Sequence, residues 1–219
     1  AQITDTHIVG DTTNQVRLEK TVEAINNLNP PVRFVVHTGD LFYNTITQKT
    51  VLDVAVATLK KLKAPLYVVP GNHDILATDP ATTYALFTNS VGPAFFSAEQ
   101  CGVRLLFCYG EPLRETNRID NYSPLDWLQT ELKATSGKPV LLFHHAPFNQ
   151  GIYPAKAIQQ WTGIITQGNV KAVITGHVHS GGLNWAGNIP MFTAEPVAEL
   201  FGRQPAFRVY RYENGLVSY

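Results

Sequence analysis

Val170-Lys171-Ala172-Val173-Ile174-Thr175-Gly176-His177-Val178-His179 reads as a short apolar strand that delivers two histidines at its carboxyl end. β-branched residues dominate the run, and the glycine that follows allows a tight turn. Four further stretches have the same construction. Gln2–Thr4 leads into Asp5-Thr6-His7, and Val32–His37 into Thr38-Gly39-Asp40. Leu66–Val69 leads into Pro70-Gly71-Asn72-His73-Asp74, and Val140–Phe143 into His144-His145-Ala146-Pro147. Between them lie helical patterns, at about 13–28 (Leu18, Val22, Ile25 on one face), 48–62 (Leu52, Val56, Leu59, Leu62) and 155–166. Ser123-Pro124-Leu125-Asp126 starts a fourth helix with an N-cap and a first-turn proline, and a short one is expected near 81–88. Strands alternating with helices predict a layered α/β fold. The C-terminal segments 182–186, 191–193, 206–212 and 216–218 read as antiparallel strands closing a sheet.

Composition bounds the problem. A chain of 219 residues, 44% apolar, is expected to form one domain over 1–219 with a substantial core. Lys+Arg and Asp+Glu each number 17, so no bulk charge attracts a polyanion, and no nucleic-acid polymer is expected as partner. No run approaches the length of a membrane span. Cys101 and Cys108 lie on one extended strand, roughly 20 Å apart and beyond disulfide reach, and both are expected in the core. The expected compartment is the cytoplasm, with a processed leader upstream of Ala1 left open.

Because each polar block follows a strand, all five are expected at one carboxyl edge, where layered α/β proteins bind ligands. The donors gathered there are carboxylate, imidazole and a neutral amide, which suit borderline divalent metals. Asp5 and His7 sit two apart, on one side of an extended backbone, and His177 and His179 repeat that spacing. Asp40, with two oxygens, is the residue suited to bridge two cations. His144 and His145 point to opposite faces, so one of them is expected to ligate. Asp74 could hold the imidazole of His73 in one tautomer.

The order Asp-x-His, Gly-Asp, Gly-Asn-His-Asp, His-His-x-Pro, Gly-His-x-His resembles the calcineurin-like metallophosphoesterase superfamily. Gln2–His7 and His144–Pro147 look most like its class III cyclic-nucleotide phosphodiesterase and glycerophosphodiesterase branch. The resemblance implies an α/β/β/α four-layer sandwich of two mixed sheets with a dinuclear metal site. It implies that Asp5, His7, Asp40 and His179 hold one ion, and Asp40, Asn72, His144 and His177 the other. His144 is taken as the ligand, with His145 as the alternative. His73 and Asp74 would be catalytic, and Tyr43 a cavity-wall residue. The ions would be Mn, Fe, Zn or Co, sharing a bridging water whose lowered pKa supplies hydroxide near neutral pH.

The expected substrate is a small phosphoester, of the cyclic-nucleotide or glycerophosphodiester kind, acted on by a monomer or simple dimer. The alternatives are a phosphomonoesterase on a small metabolite and a non-catalytic partner-binding protein on the same fold. Asn117, Arg118 and Tyr122, and Asn149, Gln150 and Tyr153, are expected to overhang the site. Arg114 and Arg118 read as solvated loop residues, with contact to a substrate phosphate as the alternative.

Overall fold

The computed structural model describes residues 1–114, 116–149, 151–199, 202 and 204–219; Gln150 lies outside them. The elements in chain order are β1 (Gln2–Ile3), α1 (Thr12–Asn26), β2 (Val35–His37), α2 (Lys49–Leu59), β3 (Leu66–Val68) and α3 (Pro80–Ser90). There follow β4 (Phe96–Gln100), β5 (Val103–Phe107), a 3-10 turn (Glu111–Arg114), α4 (Pro124–Ala134), β6 (Val140–Phe143) and α5 (Ala155–Ile165). The chain ends with β7 (Val170–Thr175), β8 (Gly182–Ala186), β9 (Ile189–Thr193), β10 (Arg211–Glu213) and β11 (Leu216–Ser218).

Two sheets stack. One is parallel, in the order β1-β2-β3, and gains antiparallel character at its edge from a bridge between Gln2 and Arg208. The other is mixed, in the order β4-β5-β6-β7-β9-β8. Strand alternation assigns each face its layer. Val35 joins Leu18, Val22, Leu52, Leu59 and Phe87 in the core beneath α1, α2 and α3. Its neighbour Val36 faces the other way, meeting Leu105, Phe107, Leu141, Phe143 and Ile174 between the sheets. On the far side Leu106, Val140, Leu142 and Val173 pack with Leu128, Leu132, Trp161 and Ile165 of α4 and α5. The result is four layers, α/β/β/α. The helix starts use ordinary chemistry: Asp11, Asp79 and Ser123 cap α1, α3 and α4 through their side chains.

The C-terminal expectation needs correction. β9 pairs in parallel with β7, only β8 runs antiparallel to it, and β10 and β11 form a separate hairpin. Cys108 is buried as expected, but Cys101 is exposed because it occupies the turn between β4 and β5 with a φ of 50°. Among the described residues no helix is long and apolar enough to cross a membrane.

Candidate metal centre

The carboxyl ends of β1, β2, β3, β6 and β7 deliver the five polar blocks to one place. Pairing continues past the strands and keeps the blocks in register. Asp5 N donates to Gly39 O at 3.0 Å, His7 N to Asp40 O at 3.1 Å, and Gly176 N to His145 O at 2.8 Å. The side chains do not share a side through extended backbone, as their spacing suggests. Asp5, His7, Asp40, His177 and His179 all have positive φ, between 45° and 68°. Such left-handed turns cost non-glycine residues about 1–2 kcal/mol each, and they concentrate where function constrains the backbone. Close approach also requires glycine: a Cβ on Gly39 (φ +99°) would lie 2.6 Å from His145 Nδ1, and one on Gly71 would overlap Asp40 Oδ1.

Two sets of ligand atoms converge, Asp5 with His7 and His179, and Asp40 with His145 and His177. In the first, His7 Nε2 and His179 Nε2 are 3.1 Å apart, and Asp5 Oδ1 lies 3.2 Å from His179 Nε2. In the second, His145 Nε2 is 3.2 Å from His177 Nδ1 and 3.1 Å from Asp40 Oδ2. Asp40 Oδ2 also lies 4.0 Å from His7 Nε2, so one oxygen touches both sets. The remaining oxygens are occupied: Asp5 Oδ2 accepts from Thr4 Oγ1 and His177 N, and Asp40 Oδ1 from His73 N.

These donors fit cations. Asn72 Oδ1 is buried without a hydrogen-bond partner, and buried Asp5 Oδ1 faces the imidazoles of His179 and His7 at 3.2 and 3.7 Å, an arrangement that is costly unless something positive satisfies these oxygens. Burial lowers the proton affinity of His7, and brings His177, with help from the charge of His145, to about 3. Neutral imidazoles are what a metal requires. Burial opposes the charge on Asp40, yet its pairing with His145 holds it well below the usual carboxylate range. The same pairing, outweighing burial, raises His145 to about 10.

The fourth block departs from expectation. His145, not His144, reaches Asp40 and His177. His144 continues the face of Val140 and Leu142 towards α5, where its ring meets Phe148 at 4.9 Å and Trp161 at 5.3 Å. It is fully buried and held neutral, at about 3, by that burial. His145 follows Leu141 and Phe143 towards the other sheet. Its Nδ1 donates to Thr38 O at 2.8 Å, which leaves the Nε2 lone pair for the site.

Asp74 is also placed differently. It accepts from the backbone N–H groups of Leu41, Phe42 and Gly71, at 3.2, 2.8 and 2.8 Å, and so ties the β2 and β3 loops together. Burial and the charge of Asp40 push its carboxyl up to about 7, against the pull of those donors. The partner of His73 is Asn44, whose Oδ1 lies 2.9 Å from His73 Nδ1. Tyr43, half exposed, lies against His73 with ring centroids 4.5 Å apart and edges onto His7 at 5.3 Å, forming a wall of the site.

Asn117 does not overhang the site; it is buried and donates to the backbone carbonyls of Asn72 and Ile75, bracing the third block from below. Tyr122 stacks on Phe95 at 3.9 Å, and Tyr153 on Phe148 at 4.0 Å. His37, which the strand pattern absorbs as a strand end, accepts from Gly39 N through Nδ1 and bonds Thr6 Oγ1 through Nε2. Its position directly before Thr-Gly-Asp was the available signal.

This geometry defines a dinuclear metallophosphoesterase. Residues 1–181 match the family model described as calcineurin-like phosphoesterase, and the chain belongs to that family. It is 28% identical over 209 residues to the serine/threonine-protein phosphatase CPPED1 of Mus musculus, covering 86% of this chain and 67% of the relative. It is 30% identical over 166 residues to the probable glycerophosphodiester phosphodiesterase GpdQ of Arcobacter nitrofigilis, covering 69% and 58%. A crystal structure of a dimetal phosphatase from Danio rerio shares the fold, with a TM-score of 0.65 at 16% identity, covering 90% of this chain and 86% of that one. The chain thus spans about two thirds or less of these sequence relatives' length.

Proposed function

We propose that the chain, acting as a single catalytic domain, hydrolyses phosphodiesters at the Asp40-centred site. The observation that carries this reading is the position of Asp40 Oδ2, 3.1 Å from His145 Nε2 and 4.0 Å from His7 Nε2. One carboxylate oxygen placed between two imidazole sets is what a dinuclear hydrolytic centre needs. Asp5, His7, Asp40 and His179 would hold one cation, and Asp40, Asn72, His145 and His177 the other. Mn, Fe, Zn and Co all suit this nitrogen and oxygen set. Bound there, the pair supplies the Lewis acidity that acidifies water and offsets charge on phosphoryl oxygens.

The chain's own residues do the rest. Asn44 fixes the proton on His73 Nδ1, so Nε2 is the atom that carries a proton to the departing alkoxide. Burial lowers the proton affinity of His73 and makes its imidazolium a stronger acid. Tyr43 and Asn44 line that side without formal charge, which suits an organic leaving group and favours a diester. The relatives named as serine/threonine-protein phosphatases favour a second reading, hydrolysis of a monoester. Both filled ligand sets argue against a non-catalytic role. Hydrolysis of bis(p-nitrophenyl) phosphate and p-nitrophenyl phosphate, each with manganese and with chelator, separates these readings. Faster, chelator-sensitive turnover of the diester is expected. Turnover of the monoester alone would overturn the diester assignment, and inertness with every metal would overturn catalysis.

A further inference from the structure

At the amino ends of the strands, opposite the polar blocks, the two sheets do not close on each other. A cavity of about 670 Å³ lies between them, within the size range of small-molecule sites. Val36 lines it from the parallel sheet, and Leu105, Leu141 and Ile174 line it from the mixed one. The parallel sheet has three strands against six, so it cannot cover the whole of its partner. Tyr210 and the hairpin residues Tyr212 and Val217 cover the remainder, and they stay only half-buried.

The polar groups inside are already committed. Tyr210 Oη donates to Gln2 Oε1, and Gln2 Nε2 to Thr38 Oγ1 and Thr175 O, each at 2.8 Å. Ala1 N donates to Phe34 O at 2.8 Å, and Gln100 Nε2 to Tyr67 Oη at 2.9 Å. Water would find few partners there, and cavities of that kind take apolar guests. Stacked sheets lie about 10 Å apart, so the space is a thin slot that admits a linear chain better than a fused ring system. The mouth differs. Arg211 and Glu213 pair there at 2.8 Å and offset each other's charge. Arg33 is exposed on the lining and has no hydrogen bond or ion pair among the described residues. One uncommitted positive charge at the entrance of an apolar slot complements a single anion.

We propose that the cavity between the sheets is a binding site for a linear aliphatic carboxylate, a fatty acid, with its tail between Val36 and Leu141 and its carboxylate at Arg33. The site is separate from the hydrolytic one. Its mouth lies where Arg33 and Cys101 precede β2 and β5, whereas the metal donors follow the strands. The two readings therefore stand or fall independently.

Calorimetry of the unaltered protein with hexanoate, octanoate and decanoate tests the proposal. One molecule should bind per chain, roughly fifteenfold tighter for each added pair of methylenes until the slot is full. Arg33→Gln should weaken decanoate by about threefold, the value of an exposed charge pair, and leave decanol unchanged. Val217→Trp, which puts a large ring into the slot, should abolish binding of both. A measurement without any substitution locates the ligand: saturating decanoate should slow alkylation of Cys101 by iodoacetamide, because that exposed cysteine lines the mouth. The absence of saturable binding, an affinity indifferent to tail length, binding that survives Val217→Trp, or an unchanged alkylation rate would overturn the site. Decanoate affinity unaltered by Arg33→Gln would overturn the seat assigned to the carboxylate.

Discussion

His145 Nδ1 donates to the carbonyl oxygen of Thr38 at 2.8 Å, while its other nitrogen faces Asp40 Oδ2 at 3.1 Å. A carbonyl can only accept, so the bond fixes the tautomer and aims the Nε2 lone pair at the shared carboxylate. Without a cation, pairing with Asp40 outweighs burial and raises His145 to about 10, so a proton caps that lone pair. A metal would displace that proton. His145→Ala should therefore lower metal content from two to about one per chain by elemental analysis. His144→Phe should keep both ions and cost less than about 1.5 kcal/mol of stability, because ring replaces ring against Phe148 and Trp161.

His73 is held by Asn44, and its role separates from metal binding. His73→Ala should reduce kcat by roughly 10²–10³ with metal content unchanged. Asn44→Ala should reproduce part of that loss, and more strongly for an alkyl leaving group than for p-nitrophenolate, which needs no proton. Equal losses on both leaving groups would show that the pair does not deliver a proton.

Asp74 carries three backbone N–H groups from two loops. Asp74→Asn presents one acceptor oxygen and an amide that opposes the donors. Thermal denaturation should show a loss of about 1–3 kcal/mol, the usual cost of a buried unsatisfied donor. Asn44→Ala, at the site surface, should leave the melting temperature within a degree or two.

The cysteines differ in burial and so in reactivity. Burial pushes the Cys108 thiol up to about 12, whereas Cys101 is exposed. Since the thiolate is the nucleophile, iodoacetamide at pH 8 should modify Cys101 alone in the native protein, and both residues after denaturation. Mass spectrometry of the labelled peptides reads this directly.

Much of this was legible in the chain. Apolar runs ending in polar blocks identify the strands, the carboxyl edge and the residues Asp5, His7, Asp40, His177 and His179. What parity could not reveal was which face of β6 looks towards Asp40. All four of its residues are buried, so no polar side marks the outward face, and the preference for His144 over His145 rested on resemblance alone. Asp74 adjoins His73 in sequence, but the turn through Gly71–Asp74 directs its carboxylate back to the loop amides. Asn44 had no motif to announce it, because it matters through His73, a partner that only the fold supplies. The parallel pairing of β7 with β9 was hidden for a similar reason: strand pattern records burial, not direction.

Anomalous scattering from crystals soaked in manganese tests the central claim most directly. Two peaks should flank Asp40 Oδ2, one beside Asp5, His7 and His179 and the other beside Asn72, His145 and His177. A single peak, or none in contact with Asp40, would contradict the dinuclear account.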